Sequence, residues 1–329
     1  MPQKIDALCV HSYNLEIFST GVIRMKKLTA AIAVFLGMMV AGTAMAQELT
    51  LFTMPSPRKI NWSSPRSLLN SAVTNNLTFQ HRSHKHAIGH VFIQLSHEGR
   101  KELILTGSVP SPEDNSNDLV LKKGYGLGIL FHGMAGRLEK TEDLQAEIVD
   151  RFESGRIAYI RFKLNDANYD RLKKYLEIYR KRGYGNTYNG LNRPREGLGA
   201  GCSAFGIAFV EVAGLMHPVW REKWPVSVRI PNTLIGGPLT GNKVSPWKVL
   251  KAGSWAKESE PHRVLTLYEP YYIYEWILEE WRRENTAKTG RVKLLKRKNA
   301  FGLEYDCTHV APPEEPMFQG AAAEIEDDE

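Results

Sequence analysis

The chain has 329 residues, of which 43 are basic and 36 are acidic, giving a formal net charge of +7. This length allows one large domain or two of ordinary size, and a content of 43% hydrophobic residues excludes a wholly disordered chain. Only three cysteines are present, which excludes a fold built on disulfides.

The N-terminal region has the layout of a bacterial secretory signal peptide. The basic segment Met25-Lys26-Lys27 precedes an apolar run over residues 28–40 and a small-x-small site that ends at Ala46. We predict that translation starts at Met25 and that the leader, residues 1–46, is cleaved, so the mature protein is periplasmic or secreted. An uncleaved anchor helix is the alternative, but the apolar run is short for one. We therefore expect no transmembrane segment in the mature chain.

Charge is divided unevenly along the mature chain. Residues 304–329 contain nine acidic residues and no lysine or arginine, which leaves residues 47–303 with a net charge of +14. So basic a body favours anionic partners, and we expect an anionic envelope polymer, a peptidoglycan peptide or a lipid as substrate. A solvated basic surface without a specific partner is the alternative. No nucleic-acid-binding motif is present, and the acidic tail is predicted to be disordered.

Apolar patterning predicts the elements in chain order. Residues 47–85 are polar and favour loops with short extended pieces. The apolar run His90–Leu95 predicts a buried strand, and Lys101–Thr106 predicts its hairpin partner. Spacing and capping residues further predict strands at 125–131, 156–164 and 227–230, and helices at 141–153, 166–182, 202–215 and 268–285. The sum is a single α+β domain over residues 47–303, an antiparallel sheet packed with helices and carrying a C-terminal helical extension.

Cys202 is the first candidate for chemistry. It lies in Gly199-Ala-Gly-Cys-Ser-Ala-Phe205, where glycines precede the start of a buried helix. Helix N-terminal amides stabilise an anion, so a thiol placed here has a lowered pKa. Small neighbours also leave backbone N–H groups near Cys202 and Ser203 available to an oxyanion. A buried structural cysteine, or a disulfide with Cys307, is the alternative.

His90 is the second candidate. It stands at the head of a buried strand, in Ala87-Ile-Gly-His-Val-Phe-Ile93, which is a rigid mount for a general base. A cysteine nucleophile requires an imidazole as its proton partner. A structural histidine is the alternative for His90 alone, and the combination with Cys202 is what favours catalysis.

The order of these two motifs resembles a known family. A Gly-His-Val-apolar-Ile strand, followed over a hundred residues later by a Cys-Ser-x-Phe helix start, is similar to the circularly permuted papain-like hydrolases, including NlpC-type cell-wall peptidases and the lecithin:retinol acyltransferase group. The resemblance covers roughly residues 86–215 and implies a papain-like core. It also implies a Cys202 nucleophile, a His90 base, a thioester acyl-enzyme, and amide, ester or acyl-transfer chemistry that uses neither a cofactor nor a metal.

The family uses a third polar group to orient the histidine. If the hairpin turn centres between residues 98 and 99, His90 faces Gly107, and a one-residue error in register gives Thr106 or Ser108. Thr106 is the predicted orienter, although it is not the His, Asn, Gln or acid that is typical of the family. A backbone carbonyl or His132 is the alternative.

Other patterns lead to competing interpretations. The segment His81-Arg-Ser-His-Lys-His86 could bind a metal but lacks the further ligands of a closed site. Residues 129–133 and 200–204 resemble the oxyanion segment and nucleophile elbow of α/β-hydrolases, which would place the catalytic histidine after Cys202, at His217, His262 or His309. A third possibility is a cationic envelope-binding protein whose papain-like core is not catalytic.

Overall fold

The computed structural model describes residues 47–78 and 86–323. The predicted leader with its cleavage site, and the side chains of His81 and His84, lie outside these ranges. Among the described residues, none of the helices combines the length and apolar character needed to cross a membrane.

Strands and helices alternate irregularly along the chain. The strands are β1 (Gln47–Met54), β2 (His90–His97), β3 (Glu102–Thr106), β4 (Ser108–Pro110), β5 (Met134–Leu138), β6 (Ala158–Leu164), β7 (Thr187–Tyr188), β8 (Pro225–Pro231), β9 (His262–Tyr268), β10 (Lys293–Arg297) and β11 (Ala300–Asp306). The helices are α1 (Pro65–Thr78), α2 (Ser116–Leu121), α3 (Thr141–Ser154), α4 (Asp166–Lys181), α5 (Cys202–Val212), α6 (Pro218–Lys223), α7 (Pro246–Lys251) and α8 (Pro270–Ala287).

The main sheet has six strands in the order β10-β11-β6-β1-β2-β3. All neighbouring strands are antiparallel except β11 and β6, which are parallel. Two smaller sheets consist of β4-β5-β7 and β8-β9. The predicted α+β class is confirmed, with a main sheet that is mixed rather than purely antiparallel.

Apolar residues cover both faces of this sheet. On one face Leu51 and Val91 belong to a core shared with α4 and α5. On the other, Phe52 and Phe92 stack with ring centroids 4.9 Å apart and pack with residues of α3. A strand buried on both faces reads as a nearly continuous apolar run, which explains the His90–Leu95 pattern.

The N-terminal part of the described chain differs from the prediction. Residues 47–54 are not loop but form β1, which pairs with β2 on one side and β6 on the other. The segment predicted as a strand at 125–131 is instead a 3-10 turn at Leu127–Phe131. The strand at β6 and the helix at α4 match their predicted positions closely.

The C-terminal part differs as well. The predicted helical extension contains α8, but it also contributes β10 and β11 to the main sheet. Disorder from residue 304 is wrong for the described residues, because β11 extends to Asp306 and both Met317 and Phe318 are buried. Arg195 holds this last segment by donating to the carbonyl oxygens of Met317 at 2.8 Å and Pro316 at 2.6 Å.

Candidate active site

Cys202 is the first residue of α5, preceded by Gly201 in an extended conformation. The helix packs closely on the sheet at Gly206, which has no side chain to hold the two apart. A Cβ on Gly206 would lie only 2.8 Å from Cγ1 of Val91 and 3.0 Å from Cδ1 of Leu51. This contact sets the N-terminus of α5 against the start of β2. Cys202 is buried and carries a free thiol, so the predicted disulfide alternative is not the arrangement found.

His90 is the first residue of β2, where it pairs with Met54 of β1. The preceding Gly89 has a φ of 81°, and a Cβ there would lie 2.7 Å from Cβ of Pro270, so the turn into the strand requires glycine. The imidazole of His90 and the thiol of Cys202 lie close enough for each to shift the pKa of the other. The backbone N–H of the next residue, Val91, also helps to lower the pKa of the thiol. The structure thus brings together the two residues on which the sequence-based hypothesis depends.

Glu139 completes the arrangement. Its Oε2 accepts a hydrogen bond from Nε2 of His90 at 2.7 Å, and both side chains are buried. Since Nε2 is engaged by Glu139, Nδ1 is the ring nitrogen that remains for Cys202. Glu139 lies between β5 and α3, where its N–H donates to the carbonyl of Gly107 at 2.8 Å.

The predicted orienter, Thr106, has a different position. Its hydroxyl donates to the backbone carbonyl of Glu139 at 3.0 Å, so it supports the carboxylate that orients His90 rather than orienting His90 itself. The hairpin register also differs from the prediction, because Ile93 pairs with Thr106. Gly107 nevertheless faces the site, since a Cβ there would lie 2.6 Å from Oε2 of Glu139 and 3.2 Å from Nε2 of His90.

The ionisable groups of the site shift one another's pKa values toward their charged forms. Burial opposes the charged form of His90, but the carboxylate of Glu139 and hydrogen bonds to Cys202 and Glu139 raise the pKa of His90 to about 10. Burial likewise raises the pKa of Cys202, but the hydrogen bond and charge of His90 outweigh it and the pKa is lowered. Against the effect of burial, His90 also lowers the pKa of Glu139. These directions favour an imidazolium between a carboxylate and a thiolate.

Tyr188 of β7 is a site residue that the sequence did not reveal. Its hydroxyl lies beside the thiol and the backbone N–H of Cys202, and both affect the pKa of the phenol. Burial, together with the charge of Cys202, holds the pKa of Tyr188 well above its usual value, so the phenol stays protonated and can donate. A carbonyl oxygen placed here would meet two donors, the phenol and the N–H at the start of α5. The only local signal was a tyrosine in the glycine-rich loop before Cys202.

Ser203, predicted to contribute to the oxyanion site, is the second residue of α5. Its Oγ lies 3.9 Å from Sγ of Cys202, and its N–H belongs to the first helical turn, where amides have no partner within the helix. Ser203 is therefore adjacent to the sulfur, and its role as a donor to substrate stays a prediction.

The structure also bears on the alternative interpretations of the sequence, which are the α/β-hydrolase site, the orienting role of His132 and a metal site. A nucleophile elbow requires a buried strand directly before the nucleophile, whereas a 3-10 turn at Pro194–Glu196 and a glycine-rich loop precede Cys202. His132, the alternative orienter, packs against the ring of Tyr125 at a centroid distance of 5.0 Å. Within the described ranges, no group of three or more His, Cys, Asp and Glu residues could hold a metal ion.

Compared with known proteins, the chain matches no family model, no curated protein and no solved structure.

Proposed function

We propose that this protein is a cysteine hydrolase of the circularly permuted papain-like type. One observation carries the proposal: a buried imidazole lies beside the thiol of Cys202 at a helix N-terminus, where each shifts the pKa of the other, and is hydrogen-bonded through Nε2 to the carboxylate of Glu139. A nucleophile, a base and a group that orients the base are the three parts that covalent catalysis by a thiol requires.

The connectivity of the site supports the papain-like assignment. His90 begins a strand of an antiparallel pair, and Cys202 begins a helix that packs on that strand. The strand precedes the helix in the chain, which is the order of the permuted members of this group. Glu139 supplies the orienting acid whose position the hairpin alone did not reveal.

The mechanism follows from where the protons lie. The Cys202 thiolate attacks the substrate carbonyl carbon, and the oxygen gains negative charge beside the phenol of Tyr188 and the N–H of Cys202. The His90 imidazolium then gives its proton to the leaving nitrogen or oxygen, the bond to the leaving group breaks, and a thioester forms. Neutral His90 next accepts a proton from water, whose oxygen attacks the thioester. Collapse of this second adduct expels the thiolate, releases the carboxylic acid and regenerates the thiolate–imidazolium pair.

The substrate class is proposed from composition and from the leader. An exported protein with a body charge of +14 over residues 47–303 suits anionic envelope material, and we propose a peptidoglycan peptide or an acylated envelope component. Ile88 and Leu198, which lie close in sequence to His90 and Cys202, are exposed apolar side chains. They favour a substrate with an apolar group beside the scissile bond.

The test is alkylation of the purified mature protein by iodoacetamide near pH 6, with the adduct located by peptide mapping. Fast modification of Cys202, slowed in His90→Ala, is the expected result, because only a thiolate stabilised by an imidazolium reacts quickly at that pH. A panel of peptide amides and acyl esters then measures turnover, which Cys202→Ala must abolish. A slow reaction that is indifferent to His90 would leave a non-catalytic binding protein as the better conclusion.

A further inference from the structure

A second histidine lies on the first. The ring of His86 stacks on the ring of His90 with centroids 4.2 Å apart and planes at 17°. The two residues flank a tight turn in which the N–H of Gly89 donates to the carbonyl of His86 at 3.1 Å. This turn places the ring of His86 over one face of the His90 imidazole, whereas Glu139 is bonded to the edge of that imidazole at Nε2.

His86 has a carboxylate of its own. Its Nε2 donates to Oε2 of Glu147 at 3.3 Å, and Glu147 is itself bound by Arg151 one helical turn later, at 2.8 Å from the Arg151 Nη2. All three side chains are largely buried, and both Glu147 and the Arg151 that holds it lie on α3. The ring of His86 is therefore clamped between a fixed helix and the ring of His90.

The charges around His86 keep it neutral while His90 is charged. The groups that face it are His90 on β2, Glu147 on α3 and Glu139 before α3, with Arg151 behind Glu147. Burial and the charge of His90 lower the pKa of His86, and these effects outweigh the two carboxylates. A neutral aromatic ring stacked on an imidazolium restrains its plane without competing for its protons.

We propose that His86 is a positioning residue: clamped by Glu147, its ring fixes the plane in which His90 faces Cys202. This inference rests on the proposed function, since it describes how the imidazole of that site is held. A histidine whose ring can turn about its side-chain bonds faces the thiol for only part of the time, so it stabilises the thiolate less. The clamp therefore keeps the thiolate stabilised at a pH at which an ordinary cysteine is protonated.

Two substitutions distinguish the contribution of the His86 ring from that of its hydrogen bond to Glu147. His86→Phe keeps an aromatic ring on His90 and loses the bond to Glu147, whereas His86→Gln can keep that bond and loses the ring. The measurement is the rate constant for iodoacetamide alkylation of Cys202 between pH 4 and pH 9. His97→Ala is the matched control, because His97 is also a buried histidine bound to a carboxylate and packed on an aromatic ring.

We expect His86→Gln to slow alkylation at pH 6 by about 2- to 10-fold, the range that corresponds to the energy of an aromatic pair. Its rate–pH curve is expected to move to higher pH, because the thiolate loses part of its stabilisation. His97→Ala should follow the wild-type curve, and His86→Phe, which keeps a ring but loses its bond to Glu147, should shift in the same direction as His86→Gln by a smaller amount. A His86→Gln curve that coincides with wild type would overturn the proposal, as would an equal shift in His86→Phe.

Folding and function are controlled separately. Protection of the buried Cys307 from alkylation reports that a variant is folded. If the His86 variants do not fold, Glu147→Gln tests the clamp, because this variant keeps both histidine rings. A shift of its rate–pH curve to higher pH supports the clamp, and an unchanged curve overturns it. If His90→Ala reacts like wild type, the proposed function itself fails. If His90→Ala is slow while His86→Gln is normal, only the role of His86 fails.

Discussion

The two ends of β2 carry histidines with similar surroundings and different chemistry. His90 at one end and His97 at the other are both buried and hydrogen-bonded to carboxylates, Glu139 at 2.7 Å and Asp166 at 3.1 Å. The side chain of Glu139 is only 7% exposed, whereas that of Asp166 is 68% exposed. His97 lies seven positions after His90, about 23 Å along a strand, so the two histidines act independently.

This comparison shows that a histidine–carboxylate pair is not sufficient to make a candidate active site. A carboxylate in water is screened, while a buried one holds the charge on its imidazole partner. At the His90 end, a helix N-terminus also delivers a thiol to the ring, and Tyr188 faces the same sulfur. At the His97 end, Nδ1 accepts from the N–H of Arg100 at 3.2 Å and Nε2 is bonded to Asp166, so one ring nitrogen holds the hairpin turn and the other the start of α4.

The largest difference is expected from removal of each ring. His90→Ala should slow alkylation of Cys202 at pH 6 by about 100-fold or more, because the proton partner of the thiol is lost. His97→Ala should leave the rate unchanged and lower only the stability. Equal effects in the two variants would show that β2 as a whole, rather than the pair, controls the thiol.

The next largest effect concerns the tyrosines at the two ends. Tyr188→Phe should lower kcat for hydrolysis by about 100-fold, the usual cost of removing an oxyanion donor. Tyr169 packs on His97 and donates to Glu102 at 3.1 Å, so Tyr169→Phe should leave kcat unchanged. Steady-state kinetics on the substrate found by the panel provide the measurement. A normal kcat in Tyr188→Phe would remove the phenol from the mechanism.

The carboxylates give a smaller effect with a defined pH dependence. Without the charge of Glu139, burial dominates, so the pKa of His90 falls and we expect about 10-fold slower alkylation at pH 6. His90 has a pKa raised above 6.5, so its stabilising contribution is complete below pH 6.5 and is lost as the pH rises through about 10. The lowered pKa of Glu139 makes its contribution complete above pH 4.5 and lost in more acidic solution.

The stability difference between wild type and Glu139→Gln should therefore be largest between pH 4.5 and 6.5 and shrink on both sides. Urea unfolding across the pH range measures it. Asp166→Asn is the control at the other end of β2, where the exposed carboxylate should contribute little to stability at any pH. A difference for Glu139→Gln that is flat with pH would contradict this account.

The smallest effect is expected from two glycines. A Cβ on Gly107 would lie 2.6 Å from Oε2 of Glu139, so Gly107→Ala should displace the carboxylate, slow alkylation a few-fold and cost about 1–3 kcal/mol in unfolding free energy. A Cβ on Gly99 would lie 3.5 Å from Cε1 of His97, an ordinary contact. Gly99→Ala should therefore stay within about 0.5 kcal/mol of wild type. Alkylation and urea unfolding of both variants test the contrast.

Sequence patterns predicted the parts of this molecule that depend on neighbouring residues. The apolar stripe of α4, the alternation of β6 and the glycine-flanked start of α5 are local signals, and they placed Cys202 and His90 at element termini. The acid that orients His90 was not predictable in this way. Glu139 is 49 residues from His90, and its position depends on the connection between a small sheet and α3.

The predictions of the hairpin register and of the outer strands were wrong for related reasons. His97 pairs with Glu102, so the turn centres between residues 99 and 100, one residue later than assumed, and Lys101 within it has a positive φ of 49°. The edge pair β10-β11 reaches its parallel partner β6 only after more than 130 residues of chain, and no local pattern encodes such a pairing. Polar flanking residues likewise concealed β1, which is central in the sheet.

Gly206 has a consequence that extends beyond packing. The distance between the sulfur of Cys202 and the imidazole of His90 depends on Gly206, one turn inside α5. Because Gly206 has no side chain, the helix can approach Val91 and Leu51 closely. A methyl group there would act as a spacer, lifting the nucleophile from its base while every polar residue of the site stayed in place. The reactivity of Cys202 thus depends on an apolar core position that carries no functional group of its own.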